Sequence, residues 1–243
     1  MSRIAKAFEK KVYVGYLTAG DAEADDFLAL VQGGVGLLEI GIPFSDPVAD
    51  GPVIQQAMAR ALKKKTALAD ALKIVAEVRK KTEVPIVLFT YYNPVQRDLR
   101  KFLAEAKRAG ADGVLIVDLP LEEADRYRRL CSEIGLDPIF VVAPSTPKER
   151  MAELCRAGRG FIYYACRKGT TGARDALPED FKEKIEEIRN FTDLPIAVGF
   201  GIADRASALA VLEEADGVVI GSYFVQGIVN GDLTERVKRC CSN

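Results

Sequence analysis

Apolar positions along the chain alternate between two rhythms. Short, nearly unbroken apolar runs rich in β-branched residues recur at 12–17, 37–40, 86–89, 114–117, 139–142, 161–164, 196–198 and 218–220. Few of them interleave polar residues, which is the pattern of strands buried on both faces of a parallel sheet. The stretches between them carry helical spacing. Leu99, Phe102, Leu103 and Ala106 follow the i, i+3, i+4, i+7 rule, with Gly110 as the stop. Leu68, Leu72, Val75 and Val78 form a second stripe, for which Thr66 is the expected N-cap. Thr146-Pro147-Lys148-Glu149 reads as a capping box with proline at the first helical position. Asp204 is expected to cap a helix through Leu212, and Phe181, Ile185 and Ile188 mark the helix before it. A short extra helix is expected over 223–229.

Related phrases announce several runs: GADGVLIVD at 110–118, LDPIFVV at 136–142, DLPIAVG at 193–199 and EADGVVIG at 214–221. A glycine or proline closes each helix and opens the next strand, as repetition of one βα unit requires. Right-handed crossovers allow an open doubly wound sheet or a closed barrel. Eight strands within 243 residues, without a linker-like change of composition, favour an α/β fold of the (β/α)8 TIM-barrel class, one domain over 1–243.

Charge narrows the function. The 34 basic and 35 acidic residues leave a net charge of −1, which argues against a nucleic-acid binder held by a basic face. No apolar run approaches the roughly 18 residues of a membrane span, and residues 1–11 lack the apolar stretch of a signal peptide. The 5 cysteines are odd in number and hold no Cys-x-x-Cys pair, so a reducing, cytoplasmic setting is expected. The sequence has 0 histidines, which removes Ser-His and Cys-His catalysis and every His-ligated metal site. Proton transfer near neutral pH is left to carboxylates of raised pKa, tyrosine, lysine or cysteine, and no metal site is expected.

In a barrel, chemistry sits at the carboxyl ends of the strands. Two of the segments that follow the runs, 41–52 and 165–178, are long for βα loops and suit lids or binding loops. Gly199, Gly201, Gly221 and Ser222 follow the last two runs, where backbone N–H groups and a helix start can hold a phosphate; glycines that merely end strands are the alternative. Glu39 interrupts the apolar run Leu37-Leu38-Glu39-Ile40. A buried carboxylate either gains a raised pKa, useful in a proton shuttle, or closes a structural ion pair. Asp50, before Gly51-Pro52, and Asp46, between Ser45 and Pro47, are the loop candidates; turn formation explains either one.

The run LEIGIPFSDPVADGPVIQQA at 38–57 resembles the signature of the tryptophan synthase alpha subunit family. The resemblance continues through YLTAGD (16–21), YYNP (91–94), VDLPLEE (117–123), APSTP (143–147), FIYYACRKGTTGAR (161–174), VGFGI (198–202) and GSYFV (221–225). It implies a (β/α)8 barrel that cleaves indole-3-glycerol phosphate to indole and glyceraldehyde 3-phosphate by a retro-aldol reaction. It also implies no cofactor in this chain, and an α2β2 complex with a pyridoxal-phosphate beta subunit that receives the indole. By the same resemblance Glu39 and Asp50 are the catalytic pair, the buried glutamic acid protonated and the loop aspartate charged. Tyr16, Phe89, Leu115, Tyr163, Thr171 and Phe200 line the substrate pocket, and Gly172, Gly201, Gly221 and Ser222 hold the phosphate. Asp46, Pro47, Asn93 and Pro94 face the beta subunit. The chain departs from the family at Gly36, where aspartate is common, at Gly15, where proline is usual, and at Tyr16, whose hydroxyl needs a partner where phenylalanine is frequent. The lead-in before the first strand is short. Two other readings are a catalytically silent barrel acting as allosteric partner of the beta subunit, and another phosphate-sugar barrel enzyme.

Overall fold

The computed structural model describes residues 1–166, 177–199, 201–202 and 204–241. Within them, β1 (Val12–Thr18), β2 (Leu37–Gly41), β3 (Ile86–Thr90), β4 (Gly113–Ile116), β5 (Asp137–Val142), β6 (Ile162–Ala165), β7 (Ile196–Gly199) and β8 (Gly217–Ile220) close into one parallel barrel in sequence order. The seam is the pairing of β1 with β8, Val12 opposite Gly217 through Gly15 opposite Ile220. All eight expected strands are present, with ends moved by two residues at most. The runs were legible because the inner layer and the helices cover both faces of every strand.

Around the barrel lie α1 (Arg3–Ala7), α2 (Ala24–Gln32), α3 (Pro52–Lys63), α4 (Leu68–Arg79), α5 (Asn93–Gln96) and α6 (Leu99–Ala109). They are followed by α7 (Asp125–Ile134), α8 (Lys148–Ala157), α9 (Phe181–Arg189), α10 (Arg205–Glu214), α11 (Ser222–Asn230) and α12 (Leu233–Cys241). Helix α6 buries Leu99, Phe102, Leu103 and Ala106 and ends at Gly110, whose φ of 105° lies in the left-handed region that glycine adopts without a Cβ clash. Asp204 caps α10 by accepting from the Ser207 N–H at 2.8 Å.

Two expected caps are corrected. Helix α4 is capped at Ala67, whose N–H donates to Asp70 at 3.0 Å, while Thr66 packs over Gly20, where a methyl group would lie 2.1 Å from its hydroxyl. Pro147 is the N-cap of α8 rather than its first helical residue, and the Thr146 hydroxyl accepts from the Ala143 N–H at 3.0 Å. In both cases a threonine that could have capped its own helix serves a loop contact instead. The extra helix, α11, starts one residue before the expected stretch and ends one after it.

The amino ends of the strands are closed by α1, short as it is. Ile4 is fully buried and approaches Gly113, while the Phe8 ring stacks 5.5 Å from that of Phe161 and fills the space beside Gly217. Arg3 donates to Asp112 at 3.1 Å, and Arg79 reaches the same carboxylate at 2.8 Å. The Ile86 N–H supplies a third bond at 2.9 Å. A buried carboxylate satisfied by two guanidinium groups and a backbone amide is stable there; removing its partners is what would be costly.

Candidate active site

The candidate functional residues among those described collect at the opposite, carboxyl end of the barrel. Strand register sets Tyr16 beside Glu39 and Glu39 beside Val87, so the three share one face of the sheet. The adjacent Gly15 faces Leu30 of α2, so Tyr16 and Glu39 point into the barrel. Glu39 is 1% exposed, takes part in no ion pair among the described residues, and its Oε1 has no hydrogen-bond partner. Loss of water alone pushes its pKa up to about 8. Of the two readings left open for this residue, the structural ion pair is therefore not what is found.

Asp50 departs from the expectation of an open, charged loop residue. It is 3% exposed, and its Oδ2 accepts a 2.6 Å bond from the Tyr91 hydroxyl. Burial raises its pKa to about 6, and the bond from Tyr91 holds it from rising further. The same phenol oxygen accepts from the Ala49 N–H at 3.0 Å, and Gln55 donates to the Asp50 carbonyl at 2.8 Å. Gly51 and Pro52 then begin α3. Sequence reasoning missed Tyr91, although it lies in the segment after the third run; its partner is 41 residues away, beyond any local pattern.

Two tyrosines lie across glycines of the neighbouring strand. A methyl group on Gly41 would sit 2.1 Å from the Tyr16 hydroxyl, and one on Gly199 would sit 2.4 Å from that of Tyr163. The Tyr16 hydroxyl finds its partner in Thr18 at 3.3 Å, and its ring meets Phe89 edge-on at 5.6 Å. Burial raises both phenols far above their usual range, and the charges of Glu39 and Asp50 raise them further, so all four groups share one mouth. Phe89 pairs in register with Leu115, which is fully buried beside it. Together they make an apolar wall around two buried carboxyl groups.

Gly221 precedes α11 and faces Ile54 and Tyr16 at ordinary contact distance. Ser222 opens that helix, buried, and its hydroxyl has no hydrogen-bond partner among the described residues. Gly201 has a φ of 64°, a conformation that suits glycine. A helix start with spare N–H groups and an unpartnered hydroxyl is suited to an anion. Thr171, Gly172 and Phe200 lie outside the described residues. Asp46 and Asn93 are exposed and Pro47 and Pro94 partly so, on the loops after β2 and β3. Phe44 and Tyr91, on those same loops, stack at 5.1 Å. The Asp46 carboxylate takes its bond from Ser45 at 2.5 Å. Among the described residues no group of three or more Cys, Asp or Glu is arranged to hold a metal ion.

Comparison with known proteins gives one answer. Residues 3–241 match the family described as Tryptophan synthase alpha chain. The tryptophan synthase alpha chain of Coxiella burnetii (strain CbuK_Q154) is 49% identical over 236 residues, spanning 95% of this chain and 92% of that one. The Mycobacterium tuberculosis tryptophan synthase structure in space group F222 superposes with a TM-score of 0.93 at 32% identity, covering 99% of this chain and 97% of that one. A structure of the tryptophan synthase α2β2 complex of Pyrococcus furiosus contains a chain with a TM-score of 0.88 at 39% identity, covering 95% and 98%. With this match running through the whole barrel and its mouth, the chain belongs to the tryptophan synthase alpha chain family.

Proposed function

We infer that the chain is a carbon–carbon lyase that cleaves indole-3-glycerol phosphate to indole and glyceraldehyde 3-phosphate, with Glu39 as proton shuttle and Asp50 as its charged partner. The observation that carries this reading is a solitary, buried Glu39 carboxyl, free of any ion pair among the described residues, whose pKa burial pushes up to about 8. At neutral pH it is mostly the acid and can protonate indole C3. Positive charge then develops over the ring to the nitrogen, and Asp50, mostly ionised above its value of about 6, stabilises it. The glycerol hydroxyl on the carbon bonded to C3 next gives its proton to the Glu39 carboxylate. The C–O bond becomes the aldehyde carbonyl, and the electron pair of the breaking C–C bond restores the indole. Glu39 ends as it began, so protons balance within the chain and no cofactor of its own is required.

Gly201, Gly221 and Ser222 would hold the phosphate of the substrate, while Tyr16, Phe89, Leu115 and Tyr163 surround its ring. The Pyrococcus furiosus α2β2 complex supports a beta subunit as partner; it would dock on the loops of Asp46, Pro47, Asn93 and Pro94 and, as the family resemblance implies, carry the pyridoxal phosphate. No helix of the described residues is long and apolar enough to cross a membrane, which is compatible with the proposed cytoplasmic setting.

The test is indole release from indole-3-glycerol phosphate across pH, with and without a beta subunit. The rate should follow a bell with limbs near pH 6 and 8, because Asp50 must be ionised and Glu39 protonated. Glu39→Gln should abolish release while the circular dichroism spectrum persists. Asp50→Asn should cost at least about 100-fold and remove the acid limb. Turnover near the wild-type rate in Glu39→Gln would overturn the shuttle.

A further inference from the structure

The repeated phrases of the sequence mark two matching halves of the barrel. The pattern Arg-x-x-Thr-(Glu/Asp)-(Val/Leu)-Pro-Ile occurs at 79–86 and again at 189–196, and Ala-Asp-Gly-Val occurs at 111–114 and 215–218. Their hydrogen bonds match as well. Asp112 accepts from the Ile86 N–H at 2.9 Å and returns a bond to its carbonyl at 2.8 Å; Asp216 does the same with Ile196 at 2.9 and 3.0 Å. Arg79 holds Asp112 and the Gly110 carbonyl, and Arg189 holds Asp216 and the Glu214 carbonyl. Thr82 and Thr192 each accept from the amide two residues on at 3.1 Å. Strand register agrees too: Val87 pairs with Gly113 as Ala197 pairs with Gly217, and Leu38 with Ile86 as Ile162 with Ile196.

This equivalence can be carried to the mouth. Glu39 and Tyr163 occupy matching positions. By the same offsets along the chain Tyr91 and Tyr92 correspond to Gly201 and Ile202, and Asp118 to Ser222, although the left-handed φ of 64° at Gly201 is not shared by Tyr91. In the second half this is the turn assigned above to the phosphate. In the first half the matching turn already holds an anion of its own: the Asp118 carboxylate accepts from the Tyr92 N–H at 2.7 Å. The residue before that amide is Tyr91, whose hydroxyl bonds Asp50 at 2.6 Å.

We propose that Asp118 is the first half's built-in counterpart of the substrate phosphate, a positioning residue that pins the Tyr92 amide and so keeps the Tyr91 phenol on Asp50. The comparison with a bound phosphate rests on the reading of the second half given above; the hydrogen bonds from Asp118 to Asp50 do not. Asp118 is exposed at the mouth, so a small anion can reach the space left by its removal. Asp50 faces Tyr91 from the β3 loop, Tyr16 from β1 and Tyr163 from β6, and Glu39 of β2 lies beside Tyr16. Of these, Tyr91 is the group whose bond lowers its pKa.

The experiment compares Asp118→Gly and Asp118→Asn with the wild-type full chain in indole release, together with the beta subunit. Asp118→Gly should lose at least about tenfold in kcat with KM changed by less than about threefold, since displacement of one acidic group slows chemistry before binding. The acid limb of its pH profile should move to higher pH as Asp50 loses the phenol. Asp118→Asn, which keeps an acceptor oxygen, should recover most of the rate. Sodium formate should speed Asp118→Gly and leave the wild type unaffected. Unchanged kcat in Asp118→Gly, or a loss that neither asparagine nor formate relieves, would overturn the positioning role. A wild-type chain that releases no indole would instead overturn the lyase reading. One that does so without competition from inorganic phosphate would overturn the phosphate assignment and the analogy drawn from it.

Discussion

Glu39 keeps its proton because none of the described residues near it replaces the water it has lost, and that has a thermodynamic consequence. In the unfolded chain its pKa is near 4.5, and in the folded protein it rises to about 8. Between those values the unfolded state releases a proton that the native state retains, so this residue subtracts stability as the pH climbs and reaches its full effect above about 8. Glu39→Gln carries no such titration. The difference in unfolding free energy between variant and wild type should therefore shift in the variant's favour from pH 4.5 to 8, measured by urea melts at several pH values. A constant difference would show that Glu39 is ionised in the folded state. Its position was readable in the sequence as a polar letter inside an apolar run. The environment of Asp50 was not, because burial under the assembled loops and a phenol from another of them set it.

At the level of elements, the strands were legible because burial on both faces leaves an apolar imprint that needs no knowledge of neighbours. The caps at Thr66 and Thr146 were not, since each hydroxyl had a local use that the assembled loops displaced. Neighbouring strands also share volume across their register. Tyr16 of β1 occupies the space that a side chain at Gly41 of β2 would need. Gly41→Ala should cost about 1–3 kcal/mol, as overpacking does, and less in a Tyr16→Phe background, where the nearest clashing atom is gone. A double-mutant cycle on denaturant unfolding checks this. Equal costs in both backgrounds would mean that the tyrosine moves aside without penalty. The Gly15 departure fits the same logic, and the Gly36 departure does not, since a side chain there finds ordinary contact distance. A side chain on Gly15 would meet Leu30 at 2.9 Å, whereas one on Gly36 would touch Val12 at 3.4 Å.

For the molecule as a whole, the count of eight runs was enough to expect closure, whereas the plug at the amino end of the barrel was hidden in a five-residue helix. Ile4, its second residue, is fully buried. Ile4→Ala should cost about 2–5 kcal/mol in urea unfolding, with the transition still single; a cost below about 1 kcal/mol would show that the barrel closes without it. The seam between β1 and β8 carries a further consequence for synthesis. Val12 is translated long before Gly217, its partner across that join. Throughout that interval the first strand has one side of its backbone without a neighbour, a ready template for other chains. The ring cannot be completed on the ribosome until its last strand has emerged. A product released before residue 217 would thus be a sticky open ribbon, and such fragments should go to chaperones and proteases rather than persist as a slower enzyme.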